Sequence, residues 1–407
     1  MLTKKNKMRS DNKPRFIFCS FVPVGLEDYV QYFIDNFSDF TYLKWKFPHS
    51  KWSIKSSLII YKDGQKFKER YLFSTVPFKR KYLYFFSLPV NYLIYFQQAL
   101  SSFWGRKNQD TTVFVGENYF CTFCGIILKK FGKVDVVIYR VMDFFPLPPS
   151  GLYRYLNRLF YVIDKFCLKK SDYIWFTTEG HIVGREKYGY FSRDEFNYRI
   201  IPLGLDSRNF ISKPISEQNR YSLVYCGVIS RYHMLDLLFE VMQDLKKDFL
   251  NIRLNLIGSG PDETYFKELA KKMGLQDNIV FHGFVEEGDH FKEIMINNIL
   301  GIALYRNEEN FMKYTEPAKV KYYLSFGVPA LVSKVPLIAY ELDEKRVCFA
   351  VNNEKEEIVK IVERFISNPG LQQEYKANIS KYVKTMDINK LLDDTISATF
   401  KELKISK

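Results

Sequence analysis

The stretch Leu254-Asn-Leu-Ile-Gly-Ser-Gly-Pro261 decides the fold of this chain. Its apolar run predicts a buried β-strand, and Gly258 and Gly260 predict an abrupt turn into a helix over residues 262–273. Glycine permits backbone conformations that other residues avoid, and the N-terminus of a helix carries a partial positive charge. We therefore expect the backbone amides of this turn to face an anion such as a phosphate group.

A lone Gly-x-Gly is weak evidence for a nucleotide site. Three further segments add support for one. Ser222-Leu-Val-Tyr-Cys-Gly227 predicts a strand that ends in glycine, and Asn278-Ile-Val-Phe-His-Gly-Phe284 predicts another strand. Glu316-Pro-Ala-Lys319 opens a helical segment and ends in a cation. The order of these segments predicts the nucleotide-binding half of an α/β protein.

Length and charge indicate two domains with different surroundings. A chain of 407 residues exceeds what one small core supports. Residues 1–210 carry 33 Lys and Arg against 18 Asp and Glu, a formal charge of +15, and the remainder carries 27 against 28. A basic half faces either nucleic acid or an anionic membrane. Without a zinc-finger, helix-turn-helix or Arg-rich helix pattern, we favour the membrane and expect no nucleic-acid partner.

The first half of the chain alternates strands and helices, as a doubly wound sheet requires. Strands are predicted at 15–22, 56–61, 111–115, 134–141 and 173–177, with a hairpin turn at 61–65 and helices at 26–37, 118–131 and 152–170. The second half predicts strands at 222–226, 252–257, 279–281, 300–305 and 330–332, then a helical tail. A polar, proline-containing linker near 206–221 separates the halves. We predict domains at 1–206 and 207–387 and a C-terminal helix at 388–407 that returns to the first domain.

Residues 82–105 are uncharged and rich in aromatic side chains. Their length would span a bilayer. Pro89, Asn91 and Gln97-Gln98 argue against a span, so a buried helix of the sheet layer and an interfacial helix are the other interpretations. The preceding basic cluster Lys79-Arg-Lys81 favours contact with a membrane surface.

From Ser222 to Val332 the chain resembles the C-terminal domain of group 1 (family 4) glycosyltransferases. The matching motifs are Tyr225-Cys-Gly227, Leu256-Ile-Gly-Ser-Gly-Pro261, Val280-Phe-His-Gly-Phe-Val285 and Pro317-Ala-Lys-Val-Lys-Tyr-Tyr-Leu-Ser-Phe-Gly-Val-Pro329. Ile201-Pro-Leu-Gly-Leu-Asp206 resembles the family's hinge entry. The resemblance implies the GT-B fold: α/β, with two facing Rossmann-like doubly wound domains and an interdomain cleft.

Several positions depart from that family's pattern. Val228 and His233 stand where the resemblance leads us to expect the Arg and Lys that hold the diphosphate, and Met142 replaces a cleft histidine. Tyr314 and Tyr322 replace a pair of glutamates eight positions apart. Residues 319–330 also resemble xanthan-type glucuronosyltransferases, which are inverting. That resemblance implies a lysine on the donor diphosphate and a base at a strand end of the first domain.

These considerations give a set of candidate site residues. Donor-binding residues are predicted at Gly227, Arg231, Gly258, Gly260, Phe284, Glu316, Lys319 and Tyr322. Asp143 ends an apolar strand, where a carboxylate can take the proton of an acceptor hydroxyl, so it is the predicted catalytic base. Glu117 and Asn118 end the preceding strand and are predicted to contact the acceptor. No Asp-x-Asp motif ends a strand, so we expect no metal and no cofactor.

The sequence thus predicts a glycosyltransferase that uses a nucleotide-diphosphate sugar, a UDP-sugar by resemblance. The expected acceptor is a glycan or polyprenyl-linked glycan in surface polysaccharide synthesis. Scattered cysteines fit a reducing compartment, so we expect a cytoplasmic protein bound peripherally to the inner face of the plasma membrane. The alternatives are a catalytically silent GT-B subunit or glycan-binding partner, and a nucleotide-sugar epimerase. Five histidines in the whole chain argue against the epimerase.

Overall fold

The computed structural model describes residues 14–21, 26–45, 56–71, 84–103, 111–147, 152–205, 207, 210–214, 216, 219–308 and 310–405. Two sheets, each layered with helices, organise these residues into two domains. The basic cluster Lys79-Arg-Lys81 and residues 1–13 lie outside the described residues.

The first domain is built on eight strands in the order β4-β3-β2-β1-β5-β6-β7-β8. The strands are β1 (Arg15–Ser20), β2 (Asp39–Lys44), β3 (Ser57–Lys62), β4 (Gln65–Tyr71), β5 (Thr112–Gly116), β6 (Val136–Val141), β7 (Tyr173–Phe176) and β8 (Tyr198–Ile200). The helices are α1 (Glu27–Asn36), α2 (Tyr84–Ser101), α3 (Tyr119–Lys130), α4 (Leu152–Lys170) and α5 (Glu179–Lys187). Strands β2, β1, β5, β6, β7 and β8 are parallel.

The predicted hairpin is confirmed, since β3 and β4 pair in antiparallel fashion. Its turn is Asp63-Gly64, where both residues have positive φ angles of 49° and 80°, as a tight hairpin turn requires. Strand β2 was not predicted from the sequence. It extends the parallel sheet beside β1 and receives β3 on its other edge.

The second domain is built on six parallel strands in the order β11-β10-β9-β12-β13-β14. The strands are β9 (Ser222–Cys226), β10 (Arg253–Ile257), β11 (Ile279–Gly283), β12 (Leu300–Ala303), β13 (Ala330–Ser333) and β14 (Cys348–Val351). The helices are α6 (Leu235–Asp248), α7 (Glu263–Lys272), α8 (Asp289–Ile296), α9 (Ala318–Ser325), α10 (Ile338–Glu344), α11 (Lys355–Ser367) and α12 (Pro369–Thr385). The following helix, α13 (Ile388–Glu402), packs against the first domain.

The strand order of each sheet marks where a ligand would bind. β1 lies between β2 and β5, and β9 lies between β10 and β12, so the direction of chain winding reverses beside β1 and beside β9. Open parallel sheets bind ligands beyond the carboxyl ends of their strands at such a reversal. The loops that follow β5, β6, β9 and β12 are therefore the places to look for a site.

Helix α2 is a helix of the sheet layer in the first domain. Tyr95 and Ala99 are buried in a core cluster with β1 and β5, and Asn91 and Gln98 are buried as well. Within the described residues, no helix has the length and apolar character needed to cross a membrane. The described part of this segment thus packs as a helix of the sheet layer, with Val90 and Leu93 exposed, and contact with a membrane interface stays a prediction.

The chain passes between the domains twice. Residues 201–205 lead from the first domain to the second, and α13 leads back. The two passages are bonded to each other, because the amide of Leu205 donates to Met386 at 2.7 Å and the amide of Ile388 donates to Leu205 at 3.0 Å. Helix α13 then completes the core of the first domain with four apolar side chains. These are Ile388, Leu392, Ile396 and Phe400.

We predict that Leu392→Ala lowers the free energy of unfolding of the first domain by about 2–5 kcal/mol, the usual cost of a cavity left by a fully buried leucine. Leu392 is completely buried against the first domain. Urea denaturation measures the loss, with Lys390→Ala, an exposed position on the same helix, as the control. Equal stability of the two variants would show that α13 does not contribute to this core.

Candidate functional site

Lys319 is the centre of the candidate site in the second domain. It is the second residue of α9, and its ammonium group is held by two tyrosines that come from either side of the strand-order reversal. Lys319 Nζ donates to the Tyr225 hydroxyl at 3.3 Å and lies 4.4 Å from the centre of the Tyr225 ring. It lies 5.2 Å from the centre of the Tyr305 ring. We call Lys319, Tyr225 and Tyr305 the lysine cage.

The lysine cage holds a cation without a protein counter-charge. Across the part of the chain that the structure describes, no carboxylate lies within 4.0 Å of Lys319 Nζ. Burial therefore lowers the pKa of Lys319 to about 7. Burial, and secondarily the Lys319 charge, lowers the pKa of the adjacent His233 to about 3. A cation whose desolvation is uncompensated is stabilised by an anionic ligand.

The turn after β9 contains Gly227, and the turn after β10 contains Gly258 and Gly260. These glycines allow the two turns to pack closely against each other. Gly227 and Gly258 have φ angles of 145° and 129°. A side chain at Gly258 would overlap the Gly227 carbonyl, and one at Gly260 would overlap the Ile229 carbonyl. The amide of Gly227 donates to Ile257 at 2.9 Å, and that of Gly258 donates to Gly283 at 2.7 Å. The Gly258 amide is therefore bonded within the protein and does not face an anion, contrary to the expectation for that residue of the turn.

Gly227 also borders the lysine cage directly. A Cβ atom at Gly227 would lie 3.4 Å from Lys319 Nζ. Any larger residue here would crowd the ammonium group on the side that a ligand would approach. The role of Gly227, Gly258 and Gly260 as donor-binding residues stays a prediction, now through close approach of the loop rather than through the amides of Gly227 and Gly258.

Arg231 and Phe284 lie at the same edge of the sheet with most of their surface exposed. The Arg231 guanidinium stacks on the Tyr265 ring at 4.0 Å and lies 3.8 Å from Asp262. Its carbonyl accepts a hydrogen bond from Arg306 Nε at 3.3 Å, which brings a second cation to this edge. Phe284 directly follows β11, and its side chain is 78% exposed. Both side chains are thus available to a ligand, and their donor-binding roles stay predictions.

Tyr322 lies at the cleft face of α9 and is paired with a carboxylate. Its hydroxyl donates to Glu287 Oε1 at 2.5 Å. Burial raises the pKa of Tyr322, and so do the nearby Glu287 carboxylate, Cys226 and the Glu27 carboxylate. Glu27 belongs to α1 of the first domain, so Tyr322 faces the opposite side of the cleft.

Glu316 is engaged inside the protein. Its Oε2 accepts from the amide of Leu203 in the interdomain passage at 2.7 Å. Its Oε1 lies 2.7 Å from Lys321 Nζ, and both side chains are buried. The ammonium group of Lys321 also faces the Tyr382 ring at 5.6 Å. The structure therefore places Glu316 at the hinge between the domains, and its predicted contact with the donor stays untested.

The predicted acceptor residues end β5 of the first domain. Glu117 is buried, and its carboxylate pairs with Arg140 at 2.8 Å, while the Arg140 guanidinium stacks on Tyr29 at 4.0 Å. Burial raises the pKa of Glu117, and the Arg140 charge opposes the shift. Asn118 caps α3, because its side-chain oxygen accepts from the Cys121 amide at 3.0 Å. Both side chains therefore have structural partners, and acceptor contact stays a prediction for each.

Asp143 follows β6 and lines a cavity of about 240 Å³. The cavity is walled by aromatic residues and by Asn157, Asp164 and Arg185. Arg185 donates to the backbone carbonyl of Asp143 at 3.3 Å and pairs with Asp164 at 3.0 Å. The protein surrounds Asp143 closely enough to raise its pKa, against the opposing charge of Arg185. Asp143 is exposed toward the cavity, as a base that meets a ligand must be.

The cavity lies where the two domains meet. The Phe144 ring contacts Tyr314 at 5.0 Å, and the Phe145 ring contacts Phe311 at 5.7 Å. Gly180 packs so tightly on the Tyr314 carbonyl that a side chain there would overlap it. Asp143 and the lysine cage thus belong to facing sheet edges. A second cavity, of about 410 Å³, is lined by residues 168–172, 174 and 195–197, at the amino-terminal end of β7 and away from this cleft.

Sequence reasoning missed Tyr305 and Glu287. Tyr305 follows β12 and its hydroxyl, buried, has no hydrogen-bond partner within the described residues. The sequence did show that Tyr305 follows a predicted strand. It could not show that this strand, β12, lies next to β9 in the sheet, which is what brings Tyr305 to the site. Glu287 gave no signal, because its pairing with Tyr322 joins segments 35 residues apart.

One family model matches the second domain. Residues 206–385 match the model of the family described as glycosyl transferases group 1. No curated protein matches the chain.

Solved structures match the whole chain at low sequence identity. Sucrose-phosphate synthase (tll1590) from Thermosynechococcus elongatus is 12% identical, with a TM-score of 0.70 over 96% of this chain and 99% of that chain. Anabaena Alr3699/HepE in complex with UDP is 11% identical, with a TM-score of 0.66 over 94% and 100%. The lipopolysaccharide outer core galactosyltransferase WaaB is 13% identical, with a TM-score of 0.61 over 94% and 99%. These likenesses confirm the predicted fold of two Rossmann-like domains.

The uncompensated charge of the lysine cage predicts that Lys319→Met stabilises the protein. In the folded protein Lys319 is charged below a pKa of about 7, whereas in the unfolded chain it stays charged to about pH 10. The folded state therefore bears the full cost of the charge at pH 6 and a smaller cost at pH 9. We expect a gain of about 1–3 kcal/mol at pH 6, and less at pH 9, by urea denaturation. Lys334→Met, at a partly exposed position paired with Glu357, is the control, and a larger gain at pH 9 would contradict the assignment.

Proposed function

We propose that this chain is a glycosyltransferase that transfers the sugar of a UDP-sugar to a glycan or lipid-linked glycan acceptor without a metal ion. The match of residues 206–385 to the glycosyl transferases group 1 model and the likeness of the fold to solved two-domain structures support this proposal. The lysine cage carries this proposal. A diphosphate leaving group gains negative charge as the glycosidic bond breaks, and a fixed cation in a water-poor site stabilises that charge. UDP is bound by the Anabaena protein of similar fold, which supports UDP as the leaving group.

The nucleoside end of the donor fits the edge formed by Phe284, Tyr322 and Glu287. A carboxylate can accept hydrogen bonds from both hydroxyls of a ribose, and Tyr322 holds the Glu287 carboxylate through its hydroxyl. Phe284 offers an exposed aromatic face beside the turn of Gly258, since the Gly258 amide is bonded to Gly283. We assign the uridine to this edge and the diphosphate to the lysine cage, with Arg231 at its margin.

The acceptor fits the cavity beside Asp143. In the proposed reaction the acceptor hydroxyl attacks the anomeric carbon, its proton passes to the Asp143 carboxylate, and UDP leaves with the electrons of the broken bond. The raised pKa of Asp143 brings its basicity closer to neutral pH, where a general base is most effective. A single displacement of this kind inverts the anomeric centre, in line with the resemblance of residues 319–330 to xanthan-type glucuronosyltransferases. The anomeric proton of the product, observed by NMR, reports the outcome.

Glu316 contributes to catalysis by positioning, in this proposal. It connects the hinge amide of Leu203 to α9 through Lys321, two residues beyond Lys319. The same helix thus places the donor cation and sets the hinge. Glu117 acts in the same way in the first domain, because its pair with Arg140 joins the end of β5 to β6, the strand that Asp143 follows.

The proposed setting is surface polysaccharide or glycolipid synthesis at the cytoplasmic face of the plasma membrane. The formal charge of +15 over residues 1–210 supports attraction to anionic lipid. The similar fold of a lipopolysaccharide outer core galactosyltransferase supports a lipid-linked glycan as acceptor. A peripheral protein of this kind would meet such acceptors at the membrane surface.

We predict that Lys319→Ala weakens UDP binding by about 10- to 100-fold, the loss of one hydrogen bond to a charged group. It should lower kcat/KM by about 30- to 1000-fold, since the contact strengthens in the transition state. Calorimetry with UDP and release assays with a panel of UDP-sugars measure these losses in EDTA, which should leave wild-type values unchanged. Wild-type affinity should fall as pH rises through about 7, where Lys319 loses its proton.

Lys334→Ala is the control for the donor experiment, because Lys334 follows β13 at the same sheet edge but pairs with Glu357. Wild-type protein that binds no UDP would exclude the enzyme. UDP binding without transfer to any acceptor would instead identify a catalytically silent subunit.

We predict that Asp143→Asn preserves UDP affinity and lowers kcat by about 10²- to 10⁴-fold, as expected when a general base is removed. Asparagine keeps the size and hydrogen-bonding shape of aspartate but cannot accept the proton. Steady-state kinetics, together with calorimetry of UDP binding, separate the two effects. Asp194→Asn, an exposed position of the same domain, is the control, and near-normal turnover of Asp143→Asn would exclude it as the base.

A further inference from the structure

The exposed face of α4 combines an apolar stripe with basic residues. Four large apolar side chains on this helix are between 39% and 67% exposed, and their spacing of three or four residues places them on one line along the helix. They are Tyr155, Leu159, Val162 and Phe166. Soluble monomeric proteins rarely expose such a contiguous apolar surface without a partner.

Charge along α4 is of one sign on the exposed side. Arg158, Lys165, Lys169 and Lys170 are exposed. Asp164 is the acidic residue of the helix, and it is buried on the opposite side, where it pairs with Arg185 and accepts from the Tyr139 hydroxyl. The helix is therefore fixed to the sheet through its polar inner side, and it presents an apolar and cationic side outward.

The surface continues onto α2. The Phe123 ring of α3 lies 5.5 Å from both Tyr92 of α2 and Phe166 of α4, so the three helices are neighbours in one layer. On α2, Val90 and Leu93 are exposed beside this layer. We define the helix-layer patch as the exposed side chains of α4 together with Val90 and Leu93.

We propose that the helix-layer patch is a docking surface for an anionic lipid bilayer, with α4 lying in the plane of the interface. An exposed face of aromatic and aliphatic side chains flanked by Lys and Arg fits the boundary between headgroups and acyl chains, where the apolar stripe inserts and the cations meet lipid phosphates. A protein partner with an acidic rim and a second copy of this chain are the competing occupants. The repulsion between two such basic faces disfavours the second copy.

Docking on this surface would bring the proposed enzyme to a lipid-linked acceptor. Only this link to the acceptor rests on the proposed function. Asn157, Phe160 and Tyr161 of α4 wall the cavity that contains Asp143. Their neighbours Arg158 and Leu159 belong to the helix-layer patch. A bilayer on this patch would therefore lie beside the mouth of the cavity, where a lipid-linked hydroxyl could enter without leaving the membrane surface.

Vesicle sedimentation tests the proposal with phosphatidylcholine vesicles that contain or lack phosphatidylglycerol. Wild-type protein should sediment with the anionic vesicles and be released by salt. Lys165→Gln combined with Lys169→Gln should weaken binding by about 25-fold, about fivefold for each charge removed. Leu159→Ser should weaken it by about tenfold, whereas Leu159→Trp should preserve or strengthen it, because tryptophan favours the interface.

Matched controls are Leu250→Ser, at a position of the second domain that is 75% exposed, and Lys271→Gln combined with Lys272→Gln at the end of α7. Thermal melts confirm that each variant is folded. Unchanged vesicle binding of the α4 variants overturns the proposal, as does failure of wild-type protein to bind anionic vesicles. A dimer in analytical ultracentrifugation that Leu159→Ser dissociates assigns the face to a second copy and overturns it as well.

The outcomes for docking and for catalysis are separable. Transfer to a water-soluble acceptor should be unchanged in every α4 variant, because none of the substituted side chains lines the cavity. Vesicle binding without UDP binding would refute the enzyme and leave the docking surface. UDP-dependent transfer without vesicle binding would refute the docking surface and leave the enzyme.

Discussion

The two domains are held in register by a buried ion pair that reaches the hinge backbone. Glu316 accepts from the Leu203 amide and forms an ion pair with the Lys321 ammonium group, and the side chains of Glu316 and Lys321 are buried. Removing one partner would leave a buried charge without compensation, which is more costly than the pair is favourable. The pair therefore favours one arrangement of the domains rather than adding much stability. Both faces of the proposed site depend on that arrangement, since one carries Asp143 and the other carries the lysine cage.

Helix α9 contains two lysines whose side chains lie in different surroundings. Lys321 is neutralised by Glu316 at the hinge, whereas Lys319 lies among aromatic rings and pairs with no carboxylate of the described residues. A separation of two residues turns the side chains to different sides of the helix, so one helix serves both the hinge and the cleft. Glu316 thus supplies the counter-charge for Lys321, and in the proposed function the donor diphosphate supplies it for Lys319. Preorganised cations of this kind lose little on binding, because their geometry is set in advance.

Local patterns predicted those parts of the fold that depend on neighbouring residues. The turn at Gly258 and the helix after it follow from an apolar run and two glycines, and α4 has the predicted bounds of residues 152–170. Strand β2 was not predicted for two reasons. Asp39–Lys44 follows α1 closely, and most of its side chains are buried, so the segment lacks the polar and apolar alternation of a half-exposed strand. The order of the motifs correctly predicted that Lys319 lies at the start of a helix. It could not show the two tyrosines of the lysine cage.

The partners of the site residues come from distant segments, which is why the sequence left them open. Tyr225 and Tyr305 meet around Lys319 because β9 and β12 are adjacent, and Glu316 meets Leu203 across 113 residues. Spacing alone suggested a donor contact for Glu316 and an anion for the amides of the glycine turn. It could not show that Glu316 pairs with Lys321 and accepts from Leu203, or that the Gly258 amide donates to Gly283. Pairing across a sheet or between domains has no signature in a single segment.

The return of α13 to the first domain also constrains the order in which the protein can be made. The core around Phe16 includes Phe400, whose rings stack at 5.9 Å, together with Leu392 and Ile396. A ribosome releases the first domain's sheet long before it has synthesised those side chains, by on the order of ten seconds at usual elongation rates. During that interval the nascent first domain exposes the apolar surface that α13 later covers. The first domain is thus the first to be synthesised and the last to be completed, and its nascent form is the species that chaperones would have to protect.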